Sequence, residues 1–291
     1  MRDFEYEAPT SLAEAVELLK TGNGSAKALA GGTDLIDQVR TGRLTPDLLI
    51  DVKKLPELNI LQHDADGLRL GAAVSCHRIF ADEGVESDYS ALADAASIIG
   101  GVQVQSRASV GGNLCNSGPA GDSIPALIAL GAVCVISGPD GTREVPVEDF
   151  CTGPNQNVLQ RGELLVELKL PSRPAHSGSH YRRFTPRNEM DIAVVGVGAS
   201  VVLDASGETI VSARIGLGAV AATPLVAQEA GDLLAGQPVS DEVLEQAGEA
   251  ARAVAMPISD MRGTVEFRLH LTGVLTQRVL ARAIERARSA G

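Results

Sequence analysis

Two pairs of adjacent glycines, each set among small and polar residues, constrain this chain more than any other feature. The longer stretch runs Ser109-Val110-Gly111-Gly112-Asn113-Leu114-Cys115-Asn116 and continues through Ser117-Gly118-Pro119-Ala120-Gly121-Asp122. The other is Leu29-Ala30-Gly31-Gly32-Thr33-Asp34-Leu35-Ile36. Adjacent glycines let the backbone approach a ligand and take torsions that a Cβ forbids, while the N–H groups that follow are left to face an anion. One such pair is most simply a turn. Two of the same kind suit a diphosphate. Asp122 and Ser123 open the apolar run Ile124, Pro125, Ala126, Leu127, Ile128 and Leu130. That run predicts a buried helix with Asp122 at its N-terminus, where the plainest role for an aspartate is a cap.

A chain of 291 residues, 44% of them hydrophobic and 21% charged, can bury a sizeable core and build two or three compact units. Its formal charge of -12 weighs against nucleic acid or an anionic membrane surface as a partner, because nothing offsets phosphate repulsion at long range. Residues 1–7 contain acids and no apolar core, so no secretory signal is expected, and no apolar stretch is long enough to span a bilayer. The expected location is cytoplasmic. Cys76, Cys115, Cys134 and Cys151 lie far apart, without the close pairs that zinc or iron–sulfur sites use, and read as reduced, mostly buried thiols.

In chain order, Ser11 and Glu14 form a capping box, and Leu12, Ala15, Val16 and Leu19 repeat at helical spacing until Gly22 and Gly24 stop the pattern. A short strand at 27–30 runs into the first glycine pair, then a helical turn at 35–40 and a strand at 48–51, which together predict a parallel β-α-β unit. That places the glycines at the C-terminal end of a strand, where open α/β units hold ligands. Hairpins are expected at 59–72 around Asp64-Ala65-Asp66-Gly67 and at 133–147 around Gly138-Pro139-Asp140-Gly141, with helices at 76–83 and 89–99 between them and a strand at 164–170. The second unit reads as mostly β. Residues 172–179, rich in serine and proline, are the best linker. Beyond it come strands at 181–184, 191–203 and 208–218, then three helices. The first is started by Thr223-Pro224, the second is capped by Ser240-Asp241-Glu242, and the third, at 265–288, places Leu269, Leu275, Val279 and Ile284 on its apolar side. Its Arg278, Arg282, Arg286 and Arg288 read as a solvated face.

Catalytic constellations are missing. His63, His77, His176, His180 and His270 are scattered, no Gly-x-Ser-x-Gly elbow occurs, and the carboxylate pairs Asp64/Asp66 and Glu148/Asp149 fall in predicted turns. Neither Gly-x-Gly-x-x-Gly nor a Gly-x-x-x-x-Gly-Lys-Ser/Thr loop is present. No catalytic residue and no metal ligand is assigned. Any catalysis would be carried by a cofactor.

The two loops, their order and their surroundings resemble a known family over essentially the whole chain: the FAD-binding subunits of molybdenum hydroxylases, the group of xanthine dehydrogenase and carbon monoxide dehydrogenase. Ala-Gly-Gly-Thr-Asp-Leu at 30–35 is similar to the family's first FAD loop. Ala-Ser-Val-Gly-Gly-Asn-Leu at 108–114, followed by Ser-Gly-Pro-Ala-Gly-Asp at 117–122, is similar to its second. The resemblance implies that Leu29, Ala30, Gly31, Gly32, Thr33, Asp34, Leu35 and Ile36, with Ser109, Val110, Gly111, Gly112 and Asn113, wrap the FAD diphosphate. It implies that Asp122 accepts a hydrogen bond from the sugar or ribityl side of FAD. It also implies that Ile99 and Leu165 touch the flavin rings and that Arg183 stands near them, where many members carry lysine. From the residues alone, Ile99 and Leu165 also fit as core and Arg183 as a salt-bridge partner. Gln105 and Ser109 depart from the arginine and threonine of many members, and the cysteine-rich insertion of some relatives is missing, so no iron is expected in this chain.

The implied fold is α+β. A FAD-binding α/β domain of the vanillyl-alcohol-oxidase-like type, residues 1–175 with subdomains of about 1–54 and 55–175, is followed at 176–291 by a three-stranded antiparallel sheet with a three-helix bundle. The implied partners are an iron–sulfur subunit and a molybdenum-cofactor subunit in a dimer of heterotrimers, with electrons leaving FAD for NAD, oxygen or a quinone. A stand-alone FAD oxidoreductase and a flavin-free scaffold are the other two function classes open to such a chain.

Overall fold

The structure, a computed structural model, describes residues 2–22 and 25–289; Gly24, expected to help stop the first helix, lies outside them. The N-terminal sheet holds β1 (Glu5–Glu7), β2 (Ala26–Leu29) and β3 (Leu48–Asp51) in the order β1-β3-β2, all parallel, with helices α1 (Leu12–Thr21) and α2 (Leu35–Arg40) as the crossovers. Ile50, Val52 and Leu55 are buried with Ala15 of α1 in one small core. β1 has no apolar alternation to announce it; it is a fully exposed edge strand held by pairing to β3 and by the Tyr6 hydroxyl, which donates to Asp51 at 2.5 Å. Ser11 caps α1 as expected, accepting from the Glu14 N–H at 3.3 Å. Glu14 completes the box one residue early, accepting from the N–H of Thr10 at 2.8 Å.

The middle of the chain is an antiparallel five-stranded sheet in the order β4-β5-β10-β6-β7, built from β4 (Leu61–Asp64), β5 (Gly67–Gly71), β6 (Val133–Gly138), β7 (Gly141–Pro146) and β10 (Leu164–Pro171). Both predicted hairpins form. The small pair β8 (Cys151–Gly153) and β9 (Gln156–Asn157) stands apart. The unit is less purely β than its sequence suggests, because six short helices lie among the strands: α3 (Cys76–Phe80), α4 (Glu83–Asp88), α5 (Ser90–Ser97), α6 (Val102–Gln105), α7 (Val110–Asn116) and α8 (Ser123–Ala129). The single helix expected at 76–83 is two, since Asp82 turns back to cap α4 and accepts from the N–H of Val85 at 2.9 Å. Leu68, Leu70 and Leu168 of the sheet are buried together with Ile79, Leu92, Leu114 and Leu127 of the helices. Each such side chain contributes about 1.5–3 kcal/mol by leaving water.

The C-terminal sheet has the three long antiparallel strands β11 (Ser177–Phe184), β12 (Val195–Leu203) and β13 (Ile210–Gly218), and a fourth, two-residue strand β14 (Leu225–Val226). Helices α9 (Gln228–Leu234), α10 (Asp241–Val254) and α11 (Val265–Ser289) cover one face, burying Leu275, Val279 and Ile284 against Val197 and Val201. The helix expected to start at Thr223-Pro224 begins at Gln228 instead, because Leu225 and Val226 pair with Leu217 and Gly216 and take their hydrogen bonds from the sheet. Ser240 caps α10 as predicted, accepting from the Val243 N–H. On α11, Arg278 and Arg282 are exposed, but Arg286 is not part of a solvated face: it grips Asp94 of α5 at 2.6 and 3.0 Å. Arg268, near the start of α11, is almost fully buried and donates to the carbonyls of Val194 and Ala219 and to Asp260.

Helix α8 joins the middle of the chain to the C-terminal sheet. A Cβ on Gly198 or Gly216 would lie 2.5 or 2.4 Å from the carbonyl oxygen of Pro125, so those two strands admit the helix backbone only because they lack side chains there. The Arg214 Nε and the Ser200 hydroxyl donate to the carbonyls of Ile128 and Ala129, each at 2.6 Å.

Candidate functional site

β2 ends at Leu29, and the chain leaves it through Ala30, Gly31, Gly32, Thr33 and Asp34 to enter α2 at Leu35. Gly32 is left-handed, with φ at +77°. Among the described residues, the N–H groups of Gly31, Gly32, Thr33, Asp34 and Leu35 find no protein acceptor. Leu29 is buried beneath this row, Ala30, Leu35 and Ile36 are half-buried, and Thr33 and Asp34 are exposed. A row of unfilled donors at the mouth of a strand is a built recess for an anion.

The second glycine pair is not an open loop. Gly111 and Gly112 lie in the first turn of α7, whose N-cap Ser109 accepts from the Gly112 N–H at 3.1 Å, while the Ser109 carbonyl takes the Asn113 N–H. The two pairs are nevertheless brought together. A Cβ on Gly31 would stand 2.0 Å from the carbonyl oxygen of Arg107, so the first loop presses on the chain that leads into Ser109. Gln38 of α2 donates to Asn116 of α7 at 3.0 Å across the same seam. The glycines differ in what they serve. Gly111 admits the backbone of Ala72, whose oxygen a Cβ would approach to 2.4 Å, whereas a Cβ on Gly112 would meet only the Ser109 oxygen, at 3.0 Å. Gly112 therefore faces open space, and Val110 is buried behind it.

Asn113 accepts from the hydroxyl of Ser123 at 2.7 Å and braces the start of α8. Next to it stands Asp122, at the N-cap position but with no capping bond. One carboxylate oxygen accepts from the Tyr181 hydroxyl at 2.8 Å and the other pairs with Arg183. Burial lifts the Asp122 carboxyl above the ordinary range, against the pull of the Arg183 cation and of its hydrogen bonds. Arg183 also donates to the carbonyl of Ile98 at 3.0 Å, beside the half-buried Ile99. Leu165 is 1% exposed in the core of the middle sheet. Two further residues matter here: Tyr181, which the motifs did not mark, and Gln105, noted in the sequence only as a departure from the family's arginine. Tyr181 shares a strand face with Arg183, a relation legible from their alternation in Tyr181-Arg182-Arg183. Gln105 is buried, and its amide donates to the Ser97 carbonyl at 2.7 Å.

The chemistry available is that of holding rather than reacting. Burial pushes the Cys76 and Cys115 thiols up to about 12 and raises Cys134 and Cys151 as well, so these free cysteines are not thiolates. His63 pairs with Asp82, and His180 with Asp94. A cavity of about 500 Å³ lies elsewhere, between Tyr89, Gly131, Arg173 and Gly178 on one side and Arg214 and Gln228 on the other. It touches neither glycine pair. What the loops offer is a donor row, a bare glycine edge and a polar rim, which fit the diphosphate of a dinucleotide.

The family model described as the FAD binding domain in molybdopterin dehydrogenase matches residues 2–173, and that of the CO dehydrogenase flavoprotein C-terminal domain matches residues 179–283. The carbon monoxide dehydrogenase medium chain of Afipia carboxidovorans is 34% identical over 287 residues, covering 98% of each chain. The xanthine dehydrogenase FAD-binding subunit of Escherichia coli O157:H7 is 34% identical over 290 residues, covering 99% of this chain and 98% of that one. Among solved structures, reconstituted CO dehydrogenase from Oligotropha carboxidovorans superposes with a TM-score of 0.94 at 31% identity, over 98% of this chain and 99% of the other. Among the described residues no helix is long and apolar enough to cross a membrane. The chain, with its two-domain FAD-binding fold and FAD as its cofactor, belongs to the FAD-binding subunits of the molybdenum hydroxylase family, oxidoreductase components of multi-subunit dehydrogenases.

Proposed function

We propose that this chain is the electron-transfer subunit of a molybdenum-containing hydroxylase, taking electrons from the iron–sulfur clusters of one partner subunit and releasing them to NAD, oxygen or a quinone. Substrate is hydroxylated on a second partner that holds the molybdenum cofactor, and the assembly is a cytoplasmic dimer of heterotrimers. FAD, when bound, supplies reversible electron storage. The residues of this chain hold it: the N–H row from Gly31 to Leu35 and the start of α7 at Ser109 to Asn113 take the diphosphate, and Ile99, Leu165, Asp122 and Arg183 form the flavin end. The division into residues 1–175, with subdomains of about 1–54 and 55–175, and 176–291, and the vanillyl-alcohol-oxidase-like character of the first part, belong to the same reading.

The observation that supports this reading is the row of N–H groups from Gly31 to Leu35, which meet no acceptor among the described residues, pressed against the segment that leads into α7. Drawing a hydride from carbon needs positioned groups that take protons and orient the substrate. The test is anaerobic flavin bleaching with purines, aldehydes and N-heterocycles, on the lone FAD-loaded subunit and then with the partners that co-purify with it. No bleaching is expected until the partners are added. Rapid bleaching of the lone subunit by any of these compounds would make it a self-sufficient flavoenzyme, and absence of flavin from the native complex would make it a scaffold.

A further inference from the structure

Of the ten large apolar side chains that the described residues leave exposed, eight lie at one end of the molecule. Met190 and Ile192 stand on the chain between β11 and β12, and Met256, Ile258 and Met261 on the chain between α10 and α11. Phe184, the last residue of β11, meets Phe267 of α11 edge to face with ring centroids 5.7 Å apart, which ties the two segments together. The eighth is Val102 at the start of α6, and a Cβ on its neighbour Gly101 would stand 3.3 Å from the Met190 sulfur. Every methionine among the described residues is on this surface. With exposures from 36% to 93%, these side chains offer on the order of 800 Å², the share of one partner in a stable interface and more than a monomer ordinarily leaves bare in one patch. Methionine and aromatic residues are also those that interfaces favour.

The charges around the patch differ from those of the whole chain. Among the described residues, the side chains of Arg182 and Arg262 make no hydrogen bond or ion pair, and Arg187 binds only the carbonyls of Glu189 and Met190. Of the nearby acids, Asp260 is taken by Arg268, and Asp191 accepts from the N–H groups of Arg187 and Ile192, which leaves Glu189 and Glu266 without a cation. In a chain of net charge -12, an end with three guanidinia against two carboxylates is the one suited to an acidic partner. An anionic membrane would meet the charge of the whole chain. An iron–sulfur cluster, held by cysteine thiolates, brings negative charge to the protein that carries it. The patch also adjoins the first glycine pair, since α6 leads from Val102 to Arg107, whose carbonyl presses on Gly31.

We propose that this end of the chain is the docking surface of the iron–sulfur partner subunit, with Ile258, Met261 and the Phe184–Phe267 pair as apolar anchors and Arg182, Arg187 and Arg262 on the rim. The inference rests on the electron-transfer reading above and names the surface through which that partner reaches the FAD site. The test is the composition of the native complex, purified through a tag on this chain and read as FAD and iron per chain. The wild-type complex should carry both. Met261→Asp and Ile258→Asp place a carboxylate at positions 93% and 72% exposed, so the unfolding midpoint and FAD content should match wild type while iron per FAD falls at least about tenfold. Val211→Asp, at an exposed apolar residue toward the far end of β13, should keep both. Iron equal to wild type in both patch variants, or loss of FAD together with iron, would overturn the assignment. So would self-association of the purified chain, or its binding to phosphatidylcholine vesicles, that Met261→Asp abolishes while iron is retained. A wild-type complex with FAD and no iron would instead remove the electron-transfer reading, and the docking surface with it.

Discussion

The two glycine pairs look alike as text and do different physical work. At the first, the backbone leaves a strand and exposes a run of N–H groups that meet no acceptor among the described residues. At the second, the glycines are wound into the first turn of α7, where Ser109 has already taken the Gly112 N–H. The difference extends to single residues. Gly31 and Gly111 are glycine because another backbone occupies the place of their Cβ, whereas Gly112 faces open space. A Gly-Gly motif thus combines a packing requirement at one glycine with open space beside the next, and substitution can separate them.

The largest effect should come from breaking the contact between the loops. Gly31→Ala puts a Cβ 2.0 Å from the Arg107 carbonyl oxygen, and relief requires the two loops to move apart. We expect destabilisation of about 3 kcal/mol, measured as a fall in the urea midpoint with an unchanged slope. A stability equal to wild type would show that the loops are free to separate. Gly112→Val should do the opposite, leaving the unfolding midpoint near wild type while FAD affinity falls about 100-fold, equivalent to roughly 2.7 kcal/mol. Full flavin content in the purified variant would remove Gly112 from the site.

A different charge cluster lies at the seam of α5, β11 and α11, where Asp94 also accepts from the Tyr181 N–H at 3.2 Å and where, against the cost of burial, His180 and Arg286 hold its carboxyl at about 2. Because the folded value lies below the unfolded one, this stabilisation is fully present above about pH 4 and is lost as pH falls toward 2. Asp94→Asn should lower stability at neutral pH by roughly 2 kcal/mol and flatten the acid limb of the stability curve. Loss of FAD affinity in this variant would mean that the seam and the loops are coupled. The smallest effect is expected at Ser109→Ala, which removes the cap of α7 and costs about 1 kcal/mol of stability in thermal unfolding. Its effect on FAD should be weaker than that of Gly112→Val. If FAD binding falls equally in the two, the Ser109 hydroxyl is a ligand and not only a cap.

Much of the fold was legible where local chemistry and periodicity agree. The parallel unit around Gly31, both middle hairpins, the Ser11 and Ser240 caps and the long α11 follow from residues that are neighbours in sequence. β1 was not legible, because an exposed edge strand shows no alternation, and neither was β14, whose two residues are held only by pairing with β13. The break at Asp82 was missed for a related reason: an aspartate inside an apolar-periodic stretch declares itself a cap only once its carboxylate has turned back on the chain. In the site, the loops were visible and their internal arrangement was not. Whether a glycine faces open space or another backbone depends on residues 39 and 76 positions away, Ala72 for Gly111 and Arg107 for Gly31.

The sequence by itself pointed to the kind of ligand, since two glycine-rich stretches, one at a strand's end and one at a helix's start, permit close backbone approach to a diphosphate. Only the tertiary structure decided the partners of the charged groups. Asp122 is next to a helix in sequence and reads as its cap; in space its carboxylate is spent on Tyr181 and Arg183, about sixty residues later on another sheet. Arg286 reads as a solvated arginine and is held by Asp94 across the molecule. Backbone propensities act over a few residues and are therefore written locally, whereas a buried charge takes the partner that packing brings within reach.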